Sequence, residues 1–191
     1  MTLNRRQFGQ GIGASTAALA AGNAAFAAED IRLTMASSHP ATLPWVASLQ
    51  NLVVPESNAR LAAAGSDSRI VWTESYGGSL YKFDKTLEAV GDGITDLGWV
   101  GTLWEESKMP LQNISFYTPF LTDDLPTMLG LVNSLHTEIP ALRDAWGDQG
   151  SVFLGASGIE TYHLLTKDPL NGFADLDGRK IIAAGTVGNW L

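Results

Sequence analysis

The chain has 191 residues, 45% of them hydrophobic and 17% charged, enough for one good core or for one domain plus part of another. It contains no cysteine, which excludes disulfides and thiolate metal sites. Its formal charge of −8 comes with no basic stripe, so nucleic-acid binding has little electrostatic support, no nucleic-acid partner is expected, and the acidity speaks mostly to solubility.

The first 27 residues read as an address. Arg5-Arg6, followed by Phe8, precede a mild Ala- and Gly-rich apolar stretch from Gly11 to Ala25, and "AFA" at Ala25–Ala27 supplies a small-x-small cleavage site. The order resembles a twin-arginine export signal and predicts cleavage after Ala27 and a periplasmic product. The alternative is an Ala-rich amphipathic helix that follows two arginines. Cleavage removes Arg5 and Arg6 and no acid, which takes the charge from −8 to −10. "GQGIGA" (Gly9 to Ala14) fits a dinucleotide pattern only formally, because no strand precedes it. Beyond residue 28 no apolar run reaches the roughly 18–20 residues of a spanning helix.

The mature chain alternates. Ile31 to Pro40 predicts a strand and turn, and Leu43 to Ala64 a helix with Trp45, Val46, Leu49, Leu52 and Val53 on one side, interrupted or kinked at Pro55. Arg69 to Gly78 predicts a second strand with a glycine turn. Lys82 to Gly93 predicts a short helix stopped by glycine, with Phe83, Leu87 and Val90 aligned, and Thr95 to Gly101 a buried third strand. This order predicts an α/β fold, a parallel sheet with helices on its faces and ligands beyond the carboxyl ends of the strands. Leu125 to Trp146 reads as helix restarted at Pro140, and Ser151 to Glu160 as a further strand running into "TYHLLTK", with a domain border near 155–160.

Catalytic signals are sparse. His39, His136 and His163 have no metal-ligand spacing, and each reads first as a polar contact. "GASGI" (Gly155 to Ile159) lacks the last glycine of a nucleophile elbow, and "DLDG" (Asp175 to Gly178) reads as a turn rather than a calcium loop. Glu105-Glu106 and Asp123-Asp124 read as solvated helix starts. No catalytic residue, metal site or cofactor is assigned, which favours a binder over an enzyme.

Several segments together resemble the substrate-binding proteins of TRAP (tripartite ATP-independent periplasmic) transporters. In "YGGSL…TLEAVGDGITDLGWVG" (Tyr76 to Gly101), Tyr76, Leu80, Gly93 and Asp96 fit the family's Tyr-Pro-x-x-x-Leu turn, helix and Gly-x-x-Asp strand start, with Gly77 in place of the proline. "SSHP" after the first strand, "YTPFL" (Tyr117 to Leu121) and "LLTKDPLNGFADLDGRKI" are similar to further family features. The resemblance spans Ile31 to Gly185. It implies a periplasmic-binding-protein-like fold of two hinged α/β lobes, divided here into a signal (1–27), a first lobe (28–156) and the start of a second, truncated lobe (157–191), with Ile181 opening a second-lobe strand. It also implies a small organic solute as ligand and integral membrane transporter subunits as partners.

Many members carry arginine directly after Lys-Ile, where its planar guanidinium forks onto a ligand carboxylate. This chain has Ile182 there, and Tyr162 at the place of a second arginine found in some members; Lys180 is usual in the family and no obvious substitute. Ile182 is then either a neutral variant or the mark of a changed ligand class. Family position and the strand-end rule select Ser38 and His39 after the first strand, Glu74 and Tyr76 after the second, Trp99, Gly101, Thr102 and Trp104 after the third, and Tyr162 and Ile182 beyond. Such a wall suits a small aromatic, amino or neutral solute. Trp99 reads equally as core, Trp45 as helix core, and Glu74 as an amine partner or a surface acid. Three functions compete: an exported solute receptor feeding a transporter, an exported α/β enzyme, and the ligand-binding lobe of a sensor. The enzyme lacks a visible nucleophile–base pair.

Overall fold

A computed structural model describes residues 30–159 and 162–190; the signal and its cleavage site lie outside the described residues. Three strands, β1 (Asp30–Ala36), β2 (Arg69–Ser75) and β3 (Leu97–Gly98), form a parallel sheet in the order β2-β1-β3. β1 and β2 pair along their whole length, from Asp30↔Arg69 to Ala36↔Ser75. The expected α/β class and parallel sheet are therefore present.

The segment after β1 is α1 (Pro44–Ser48), a π-helical turn (Leu49–Val53) and α2 (Val54–Ala63). Pro55 accounts for the interruption. It has no N–H to give the carbonyl four residues back and its ring crowds that carbonyl, so the preceding turn widens and Val54 N–H reaches Leu49 O instead. The apolar stripe is only partly used: Val46 is fully buried, whereas Leu52 is 60% exposed, because the widened turn rotates the second half of the stripe. α2 covers the outer edge of β2. The Asn58 amide pairs with the backbone of Ile70 through both its oxygen (2.7 Å) and its nitrogen (2.9 Å), as a neighbouring strand would.

A 3-10 turn (Phe83–Lys85) leads into α3 (Thr86–Gly91). Gly93, at φ 72°, ends it as the sequence predicts: its N–H meets Val90 O and the N–H of Ile94 meets Ala89 O, the bonding of a Schellman cap. Leu87 of α3 joins Met109 and Trp146 in the core. β3 is shorter than expected. Ahead of it, the Asp96 carboxylate accepts the Thr34 N–H at 2.7 Å and Thr95 Oγ1 donates to Thr34 O or Leu97 O, so side chains replace part of the ladder. Asp96, a residue of the family-like motif, is thus explained by strand docking.

Short 3-10 turns (Thr102–Trp104 and Pro110–Asn113) and α4 (Ile114–Tyr117) precede α5 (Leu125–Glu138) and α6 (Pro140–Gly147), the expected helix restarted at its proline. Asp124 caps α5 by accepting from Thr127 N–H at 2.9 Å, which agrees with its reading as a helix start. Glu105 corrects that reading. It is 3% exposed, because Lys108 folds over it at 3.0 Å.

Two expected strands are not formed. Residues 151–159 carry no strand pairing: Ser151 N–H returns to Trp146 O, Phe153 stacks on His136, and Ala156 N–H goes to Asn133 Oδ1, so helix groups take the backbone bonds a strand would need. The segment from Ile181 is likewise unpaired and runs into a 3-10 turn (Gly185–Trp190), docked where Thr186 Oγ1 donates to Leu103 O at 3.0 Å. Among the described residues beyond 150 there is no second sheet, and the two-lobed expectation reduces to one small α/β domain. In "DLDG", Asp175 and Leu176 end a 3-10 segment (Phe173–Leu176) and Asp177 and Gly178 form the turn after it, and no acid cluster able to hold a metal occurs among the described residues. No helix among them is long and apolar enough to cross a membrane.

Candidate functional site

In the order β2-β1-β3 the chain leaves β1 toward one side for β2 and returns to the other side for β3. The switch point of the sheet therefore lies at the carboxyl ends of β1 and β3, where open α/β sheets bind ligands. Ser37, Ser38 and His39 leave β1 there, and Trp99 to Trp104 leave β3.

The β1 exit is fixed by the loop after β2. Ser37 N–H donates to Ser75 O, Gly78 N–H to Ser37 O at 3.1 Å and Gly77 N–H to His39 O at 3.0 Å, while His39 N–H donates to Ser37 Oγ. Gly77 stands where the family pattern has proline, and the change has a physical consequence. At φ 76°, and with its N–H engaged, this position excludes proline on both counts. The His39 backbone is thus held at both its N–H and its carbonyl.

Around the His39 ring stand three tryptophans. Trp104 stacks on it (5.7 Å between centroids, 21° between planes), Trp99 meets it edge to face (5.7 Å, 84°), and Trp45 does the same from α1 (6.4 Å, 69°). Trp45 and Trp99 touch each other at 5.8 Å, and Phe83 backs Trp104 at 5.2 Å. Gly101 is buried among these rings. A Cβ there would run into the Trp104 ring and come within 3.1 Å of Trp99. Thr102 accepts from Asn113 through its carbonyl at 3.0 Å and so anchors the turn that carries Trp104. Lys108 braces the same turn from below, bridging Glu105 to Glu88 of α3 at 2.7 Å.

The indole N–H groups differ in their fates. Trp99 Nε1 donates to Ser157 Oγ at 2.7 Å. Trp45 Nε1 is closed off from solvent with no hydrogen-bond partner among the described residues. An unpaired buried donor of this kind costs about 1–3 kcal/mol. Trp45, read from sequence as helix core, is therefore a wall of the site. It sits on the first turn of the crossover helix, and its place at the site depends on where that helix swings back over the sheet, which the sequence does not signal.

Glu74 and Tyr76 are paired with each other, Tyr76 OH donating to Glu74 Oε2 at 2.8 Å and touching Met35 Sδ at 3.4 Å. Burial, then the hydrogen bond to Glu74 and its charge, push the Tyr76 hydroxyl well above the ordinary phenol range. Tyr162 and Ile182 are brought together elsewhere. With His163, Leu164 and neighbouring residues they line an open, mainly apolar cavity of about 420 Å³ that includes none of the strand-end residues. Ile182 is 93% exposed there.

Ser38 Oγ lies 3.0 Å from His39 Nδ1. The two form a hydroxyl–imidazole pair, which is not visible as a nucleophile–base pair in the sequence. Among the described residues no carboxylate engages the imidazole, so the third, orienting member of a catalytic triad is not supplied. His136 is a core histidine: 5% exposed, it bonds Val132 O through Nδ1 at 2.8 Å, takes the Trp146 indole N–H at Nε2 and stacks on Phe153 at 3.6 Å.

No protein-family model and no curated protein matches this chain.

Proposed function

We propose that the chain is the extracytoplasmic solute-binding component of a TRAP-type transporter, capturing a small organic solute and delivering it to integral membrane subunits. In this reading the three-stranded sheet is the core of one lobe of a two-lobed, periplasmic-binding-protein-like receptor that closes on its ligand by hinge motion. One observation carries the reading: Ser38, His39, Trp99, Gly101 and Trp104, chosen from sequence, converge with Trp45 at the switch point of a parallel sheet. The motif order from Ile31 to Gly185 supports the family, and the Ala25–Ala27 site preceded by Arg5-Arg6 supports export to the periplasm. No cofactor enters the reading.

The test is a thermal-shift screen of the full chain against small organic acids, amines, aromatics and neutral solutes. A receptor gives saturable stabilisation by one class, and the same solute is recovered unchanged. No stabilisation by any class refutes it. The Ser38–His39 pair gives the enzyme reading a specific observation of its own. That reading is favoured only if a screened ester is hydrolysed and Ser38→Ala abolishes turnover.

A further inference from the structure

We infer that the strand-end site takes a flat aromatic ring bearing a hydrogen-bond acceptor, a carbonyl or carboxylate oxygen, in the place now filled by the His39 imidazole; the inference rests on the solute-receptor reading. The imidazole is itself a flat ring, stacked on Trp104 and met edge to face by Trp99 and Trp45. The surroundings are therefore already shaped for a planar π-system.

The imidazole is held differently from its backbone. His39 N–H and C=O are bonded to Ser37 Oγ and Gly77 N–H, whereas the ring has one side-chain hydrogen bond, to Ser38 Oγ, besides its stacking. A side-chain rotation removes the ring without unzipping the loop. What the imidazole does not supply is an acceptor for Trp45 Nε1, which has no partner among the described residues and whose ring neighbours are His39 and Trp99. A ligand that displaces the imidazole and offers an oxygen satisfies that donor. An ammonium brings donors only. Aromatic cages do attract organic cations, but a cation leaves the Trp45 N–H as unpaired as before, so the orphan donor decides the class.

The experiment is tryptophan-fluorescence titration of the full chain with benzamide and benzoate, against benzylammonium and succinate as controls. At least one of the two aromatic acceptors is expected to quench saturably and to bind at least tenfold more tightly than either control. Trp45→Phe keeps a ring and removes the N–H; it should weaken the bound aromatic acceptor about fivefold to tenfold, the value of one neutral hydrogen bond. His39→Ala removes the competing ring and should tighten binding by a similar factor. Thermal unfolding of both variants checks that each is folded. Tighter binding of benzylammonium, an unchanged affinity in Trp45→Phe, or weaker binding in His39→Ala overturns the inference. Succinate binding without aromatic binding also overturns it while leaving the receptor reading standing; failure of all four, together with a blank solute screen, defeats both.

Discussion

Glu88 offers the sharpest test of how the Trp104 turn is held. Burial opposes ionisation of its carboxyl, but hydrogen bonds from Lys108, from backbone and from Lys85, with the Lys108 charge, outweigh it and bring the pKa from 4.5 to about 2. The ordinary carboxyl value applies to the unfolded chain. The folded pKa is therefore depressed: the stabilisation is fully present above about pH 4.5 and is lost as pH falls through 2. At face value the difference corresponds to roughly 3 kcal/mol. The Glu88 side chain is 34% exposed and its Lys108 partner 35%, and solvent screening reduces this to roughly 1 kcal/mol. Glu88→Gln should accordingly lower the unfolding free energy by roughly 1 kcal/mol at pH 7, measured by urea titration followed by circular dichroism. At pH 3 the penalty should shrink to less than half of that value, since the Glu88 carboxyl of the unfolded chain is then protonated and folding must release that proton to form the ion pairs. A penalty of equal size at pH 7 and pH 3 would show that packing, not the ion pairs, is what Glu88 contributes.

Gly101→Ala inserts a methyl group against the rings of Trp104 and Trp99. The Trp104 ring should swing off His39, which changes near-ultraviolet circular dichroism and weakens solute binding at least tenfold while the far-ultraviolet spectrum is kept; unaltered binding would place the ligand elsewhere. At the other end of the chain, the export reading expects a mature N-terminus at Ala28 by mass spectrometry in a twin-arginine-competent host. Arg5→Lys with Arg6→Lys should leave the precursor in the cytoplasm, and normal export of that variant would mean another route.

The first half of the fold was legible because its signals are local. Alternation in Ile31–Ala36 and Arg69–Ser75, Gly93 after α3 and Pro140 at the head of α6 each specify backbone geometry within a few residues. The second half misled because a strand needs a partner. Val152, Phe153 and Leu154 are a short apolar, strand-prone run, yet Val152 and Leu154 are 81% and 78% exposed, and Phe153 is claimed by the His136 ring. Such a run records a local preference; it does not say that a neighbouring strand lies alongside. The site followed the same division. Residues one to three positions past a strand end could be named in advance, as with His39 and Trp99. Trp45 could not, because its place depends on where the crossover helix swings back over the sheet. The Ser38–His39 contact escaped for a different reason, since adjacent side chains in an extended segment ordinarily point apart.

The absence of arginine from the strand-end positions can now be weighed against what stands there. Among the described residues, Arg32 lies on β1 and Arg69 at the head of β2, Arg60 on α2, Arg143 on α6, and Arg179 in the turn after the Phe173–Leu176 segment; none follows a strand's carboxyl end. Two charge-assisted bonds from a guanidinium would contribute about 3–6 kcal/mol to holding a carboxylate. A benzene-sized ring burying on the order of 100 Å² of apolar surface gains about 2.5 kcal/mol, and ring pairs with the tryptophans add about 0.5–1.5 kcal/mol each. An acceptor on Trp45 Nε1 adds about 1 kcal/mol. The two designs are of similar strength, but they reward different molecules. On the proposed reading a short aliphatic diacid has neither the ring to bury nor the clamp to grip it, whereas a flat ring with one oxygen offers the tryptophans a stacking partner and Trp45 Nε1 an acceptor.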